Sequence, residues 1–245
     1  MKSFFIVVIL VPLVLSYTFP ENFKRCHRNE IDLDNCLKTT IQNALQLIGM
    51  TGIPSLNLPP IDPLKAAKLE VKADTSTLHV VQKYFDMNIF GFSNSTVENA
   101  HFDTDKNILT FTIYVPKIYQ KAKYDINGKI MDFSIFGNGD SILTLFNSTL
   151  THTIKFQEDT KDNKSYFIIT SYNLSVITSK IHFYYDNLFN SDKQLSEKIH
   201  KILNENWKGA FGDVKEGVQT AYAHIFKNVA IGLFNRVPVE EIFLN

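Results

Sequence analysis

Few side chains in this 245-residue chain are spaced to do chemistry. The seven histidines, His27, His79, His101, His152, His182, His200 and His224, are scattered without the spacing of a metal site. His79, His152 and His182 fall in strand-like runs, where a surface or hydrogen-bonded structural role fits better than that of a base. An acyl-transfer elbow needs Gly-x-Ser-x-Gly, and the nearest match, Gly91-Phe92-Ser93-Asn94-Ser95, lacks the second glycine. No His-Glu-x-x-His, P-loop or Gly-x-Gly-x-x-Gly occurs. The expectation is no catalytic residue, no metal and no cofactor, although a convergent triad needs no sequence motif. Cys26 and Cys36 lack the further Cys or His that a metal would need, and in an oxidising compartment a lone pair this close forms one disulfide. Four sequons make Asn94, Asn147, Asn163 and Asn173 glycosylation candidates.

Secretion gives those last two features their meaning, and the N-terminus supports it. Lys2, the apolar run 4–15 and the small residue Ser16 form a leader with a cleavage site, and the run is shorter than the ~20 residues that span a bilayer. Residues 17–245 then read as one domain. Basic and acidic side chains number 25 each, so loss of Lys2 leaves 24 against 25, a formal charge of −1 that offers nothing to a nucleic acid.

The elements that would position a site show two periods. Leu33, Leu37, Ile41, Leu45 and Ile48 mark a short helix ended by Gly49 and Gly52. The proline-rich stretch 53–64 must be extended, and its Ile and Leu residues suggest packing under one end of the molecule rather than a solvated linker. From Lys65 the period is two, with Leu69 and Val71, then Phe85, Met87 and Ile89, then Leu109, Phe111, Ile113 and Val115 on inner faces. Asn127-Gly128 and the run 137–140 read as turns. If Asn173 faces outward, Tyr166, Ile168, Tyr172, Leu174 and Val176 point in, and Phe167 and Ile169 point out. Asn147 shares its parity with Leu143 and Leu145, which calls for a bulge near Phe146 or a sheet covered on both sides. Over 195–237 the period returns to steps of three and four, a stripe from Leu195 through Trp207 to Leu233, with a bend or break expected at Gly209, Gly212 or Gly217. The fold class is α+β: a long C-terminal helix wrapped by a highly curved antiparallel sheet, with a short N-terminal helix stapled by the disulfide.

The chain also resembles the insect takeout and juvenile-hormone-binding family. The likeness rests on Cys26 and Cys36, the segments 52–54 and 61–64, Tyr124-Asp125-Ile126-Asn127-Gly128-Lys129-Ile130, the run 137–139, and Tyr185-Asp186-Asn187-Leu188-Phe189-Asn190 leading into Leu203-Asn204-Glu205-Asn206-Trp207. It implies the α/β-wrap, or super-roll, of tubular lipid-binding proteins and a secreted carrier of a small lipophilic ligand. The hormone carriers hold a second disulfide between sheet and helix, whereas no cysteine follows Cys36 here, which places the chain nearer takeout.

The expected cavity wall comprises Phe85, Met87, Ile89, Phe111, Ile113, Phe133 and Ile135 from strands and Trp207, Phe211, Val214, Val218, Tyr222 and Phe226 from the helix. The ligand would be a terpenoid such as juvenile hormone or a fatty-acid-like lipid, met at one oxygen by inward tyrosine or threonine hydroxyls. The protein is expected to be a monomer with no stable membrane insertion. A membrane-active lipid-transfer protein and a secreted lipid esterase are the competing readings.

Overall fold

The computed structural model describes residues 23–74, 78–130 and 133–244; the expected leader lies outside them. In chain order the elements are β1 (Cys26–His27), α1 (Leu33–Thr51), β2 (Leu64–Asp74), β3 (Leu78–Phe90), β4 (Thr96–Asp103), β5 (Ile108–Ile130), β6 (Phe133–Lys161), β7 (Lys164–Tyr185), α2 (Lys193–Glu205), α3 (Trp207–Phe234), α4 (Val239–Ile242) and β8 (Phe243–Leu244). Strands β2-β3-β5-β6-β7 form one antiparallel sheet in that order, and β4 shares with β3 the same edge of the long β5. The helices α2 and α3 lie along the concave side, with α3 against both β7 and β2, the two edges of the curled sheet. Cys26 and Cys36 form the expected disulfide, and β1 pairs in parallel with β8, so the two ends of the described chain meet.

Strands as long as these bend only where their pairing is disturbed. On β3 the register shifts between Phe85 and Asn88, with Asp86 at φ 51°. Tyr84 is therefore buried ahead of the bulge and Met87 and Ile89 after it, while Phe85 is only half-buried. A second bend crosses three strands at one level, because Pro116 and Asn147 fall between the ladder pairs Val115–Ser148 and Lys117–Phe146, and Ser179 falls beside them on β7. Asn147 stands at φ 48°, takes the Tyr114 hydroxyl proton at 2.9 Å and donates to Ser179 Oγ at 3.2 Å. Across that line the inward residues change parity, from Val115 to Ile118 on β5 and from Val176 to Ile181 on β7. This bend reconciles Asn147 with Leu143 and Leu145. On β7, Thr170 is the extra residue between the pairs Lys155–Ser171 and Phe156–Ile169. It turns Phe167 and Ile169 inward, against the expectation from Asn173, and Asn173 itself remains exposed.

Two glycine-rich segments are strands rather than turns. At Gly128 a Cβ would lie 2.1 Å from the His79 carbonyl oxygen, and at Gly137 it would lie 2.9 Å from the Leu188 Cα. Both mark a close backbone approach, which in sequence looks the same as a turn. The helical break falls at Asn206, ahead of Gly209. In the proline-rich stretch Ile53, Leu56, Leu58, Ile61 and Leu64 are all buried, and the Asp62 carboxylate accepts from the backbone N–H groups of Gly91 and Ser93.

Buried side chains fall into two clusters. One lies between α3 and the middle of the sheet. The other packs Phe102, Phe156, Phe167 and Phe243 with α1 and α4. His152 stands on the border. Its ring stacks on Phe111 at 4.6 Å, meets the edge of Phe226 at 4.9 Å and places Nδ1 2.8 Å from the Tyr172 hydroxyl. Burial drives its pKa down to about 3. The unfolded chain takes up this proton near pH 6.5 and the folded chain does not, so the stability tied to neutral His152 is complete above that value and falls away as the pH drops toward 3. Between pH 7 and 5 the protein is expected to lose about 2 kcal/mol more stability than its His152→Phe variant, read from urea midpoints; parallel pH profiles would contradict this.

Candidate functional site

A cavity of about 290 Å³ lies between the helices and the concave face of the sheet. Its floor is aliphatic, built from Leu69 and Val71 on β2, Leu143 and Leu145 on β6, and Val176 and Ile181 on β7. Val214 and Val218 face them from α3 at helical spacing. The open end is at the α2–α3 junction, where Asn206, Gly209 and Asp213 are exposed. A side chain on Gly209 would meet nothing within 4 Å.

Of the residues expected in the wall, Ile135, Phe211, Val214, Val218 and Tyr222 line this cavity. The others sit elsewhere, for reasons the bends explain. Met87, Ile89 and Ile113 are buried in solid core, and Phe85 is displaced by the bulge beside it. Phe111 and Phe226 form the layer around His152, with Phe226 5.3 Å from Phe92, which does reach the cavity. Phe133, at the start of β6, is 78% exposed. Trp207 is half-buried at the first turn of α3, beneath the Lys208 ammonium.

Sequence reasoning found Tyr222 on the helix but missed the polar strand residues of the wall. Gln82 and Tyr84 enter it because they precede the β3 bulge, and Gln120 because it follows the bend at Pro116. The alternation Ile118, Gln120, Ala122, Tyr124, Ile126 was the available signal. Tyr84 donates to Gln82 Oε1 at 2.6 Å, and its oxygen lies 3.0 Å from the Tyr185 hydroxyl. Tyr222 donates to Gln120 Oε1. Tyr124 donates to the Asp186 carbonyl at 2.6 Å and packs its ring 4.9 Å from that of Tyr185. Burial raises all four phenols, Tyr185 to about 12 and Tyr84 well above the usual range, with Tyr185 adding to the effect on Tyr84, Tyr124 and Tyr222. All four are neutral donors at physiological pH.

Several titratable groups that could have served chemistry are committed to structure. His79 and His101 pair with Asp74 and Asp34, and His200 Nε2 accepts the Tyr185 backbone N–H at 3.0 Å. Burial and the neighbouring His182 lower the pKa of His200, in keeping with a neutral acceptor. Among the described residues the one group with metal-ligand proximity is Cys26, Glu30 and Cys36, whose two sulfurs are bonded to each other. Among these residues no helix is long and apolar enough to cross a membrane.

The chain is similar to known proteins in sequence and in fold. The family described as haemolymph juvenile hormone binding protein matches residues 4–244. The circadian clock-controlled protein daywake of Drosophila yakuba is 27% identical over 237 residues, covering 93% of this chain and 89% of the relative. Its Drosophila melanogaster counterpart is 26% identical over 234 residues, covering 92% and 88%. The crystal structure of Epiphyas postvittana Takeout 1 superposes with a TM-score of 0.78 at 21% identity, over 91% of this chain and all of that one, and so shares the fold. With a family match across nearly its whole length, a curled antiparallel sheet and a long helix enclosing an apolar cavity, this chain belongs to the haemolymph juvenile hormone binding protein family.

Proposed function

We propose that the protein is a secreted carrier that holds one small lipophilic ligand in the cavity between α3 and the sheet. The observation that carries the proposal is the aliphatic character of an internal space that the protein's own side chains leave unfilled. Burial of a CH₂ contributes ~0.8 kcal/mol, so some fifteen carbons supply about 10 kcal/mol before ordering costs are subtracted. Micromolar affinity needs ~8 kcal/mol, which a dry cavity reaches without an ion pair. The disulfide fits an oxidising, extracellular setting, and Asn94, Asn147, Asn163 and Asn173 are all exposed where a glycan would need them. We read the carrier as a monomer without membrane insertion and without catalytic activity.

One feature favours lipid transfer at a membrane as a second reading. Helix α2 exposes Leu195 and Ile202 at 40% and 53%, and it carries Lys193, Lys198 and Lys201. Co-flotation with anionic liposomes would support that reading; its absence favours a carrier working in solution.

Native mass spectrometry of protein purified from its source should show a retained hydrophobic adduct that denaturation removes. Val218→Glu places a charge on the cavity wall and should abolish the adduct while circular dichroism is unchanged; a folded variant with full retention would count against this cavity. At the open end, Gly209→Phe should keep the helix, since glycine is the poorer helix former by up to ~1 kcal/mol. It should slow association of a fluorescent apolar probe by about tenfold in stopped-flow measurements, and an unchanged rate would place the entrance elsewhere.

A further inference from the structure

Helix α2 borders the open end of the cavity, and it is held there by polar tethers more than by packing. None of its residues is more than partly buried, although Ile202 and Leu203 contribute to the cavity wall. It joins α3 at Asn206, a non-helical break at φ −107° and ψ 30°, and a Cβ on Gly209 or Gly212 just beyond would meet nothing within 4 Å. A helix with no buried anchor and an irregular joint is an element that opens locally. Three side chains tie it to the end of the sheet: Asn204 bonds the Phe183 N–H and carbonyl, Ser196 donates to the Leu188 carbonyl at 2.7 Å, and His200 Nε2 accepts the Tyr185 N–H at 3.0 Å. Of these only His200 titrates. Its accepting nitrogen carries the lone pair and Nδ1 the proton, so protonation puts an N–H on Nε2 and leaves two donors facing each other. The surroundings offer the charged ring no buried counter-charge. From β7 it meets Tyr184, stacked at 5.4 Å, Tyr185 at 6.5 Å and His182, whose own charge opposes a second one. Behind Tyr185 stand the phenols of Tyr84 and Tyr124. On α2 the flanking Glu197 and Lys201 are exposed, and Asp192 is engaged by the Leu195 N–H at 3.0 Å.

From this we propose that His200 is an acid-sensitive latch: in a mildly acidic medium its protonation frees α2 from β7, widens the mouth and lets the bound ligand leave. The inference rests on the carrier reading and adds a trigger for release to it. With α2 closed, burial and His182 hold the ring neutral; with α2 open, it is free to titrate near 6.5. The advantage of the closed state is therefore complete above that value and is lost as the pH falls through it toward the lower value of the closed ring. One histidine released in this way shifts the balance between pH 7.5 and 5.5 by at most about tenfold.

Dissociation of N-phenyl-1-naphthylamine from the full mature chain, started by dilution in a stopped-flow instrument, tests this at roughly pH 7.5 and 5.5, on either side of the free histidine range. The wild-type rate should rise several-fold in acid, with about tenfold as the ceiling. His200→Gln supplies an oxygen that accepts the Tyr185 N–H and does not titrate, so its rate should stay slow at both values. His152→Phe removes the other buried histidine and should keep the wild-type acceleration, which separates opening of α2 from a general loss of stability. Equal wild-type rates at the two pH values would overturn the proposal, as would an acceleration that persists in a folded His200→Gln. Should that variant not fold, hydrogen exchange of the wild type decides. Corrected for intrinsic rates, protection of Tyr185 and of the α2 amides should drop in acid while β5 keeps its own, and unchanged protection of α2 would again overturn the latch. A chain that binds no probe at the higher pH would instead remove the carrier reading.

Discussion

A curled sheet that stops short of closing has two edges, and their unpaired backbone groups must find partners. Here α2 and α3 answer that constraint along β7. Gln219 on α3 accepts the Val176 N–H at 2.8 Å, and on α2 Asn204 exchanges two hydrogen bonds with the Phe183 backbone while His200 accepts the Tyr185 N–H. Asn204 and His200 are four residues apart, one helical turn, and they meet alternate residues of an extended strand. Helix α1 treats β4 the same way, with Gln42 bonding the Ser95 carbonyl and the Val97 N–H. On the opposite edge α3 approaches β2 so closely at Gly217 that a Cβ would lie 3.0 Å from the Lys72 carbonyl. Held at both edges, α3 bridges the concave face without sinking into it, and the space beneath becomes the cavity.

The sheet's own irregularities decide which side chains reach that space. Its bends at Asp86, at the Pro116–Asn147–Ser179 line and at Thr170 each exchange inward for outward residues. They bring Gln82, Tyr84 and Gln120 to the wall, and they send Phe167 and Ile169 to the aromatic cluster behind His152. The family fold thus divides the interior into a packed end, rich in phenylalanine, and a hollow end lined by aliphatic side chains and neutral polar groups.

Much of this architecture was legible in the sequence. The stripe through Val214, Val218 and Tyr222 marks the helix face on the cavity, the pair Cys26 and Cys36 marks the staple, and the buried prolyl segment is signalled by its Ile and Leu content. The strand residues of the wall were harder, because period-two reasoning carries a parity forward until something resets it. A bulge does so without a fixed residue signature, as Asp86 illustrates. Gly128 and Gly137 misled for a related reason, since glycine serves tight turns and close strand crossings equally well.

A carrier of this design holds its lipid inside the fold rather than on the surface. A neutral lipid bearing a diazirine near its head group, photolysed in complex with the protein and mapped by peptide mass spectrometry, tests that directly. Adducts should appear on the strand and helix peptides that carry Leu143, Leu145, Val214 and Val218. Labelling confined to the exposed face of α2 around Leu195 would contradict an internal site and move the lipid to the protein's surface.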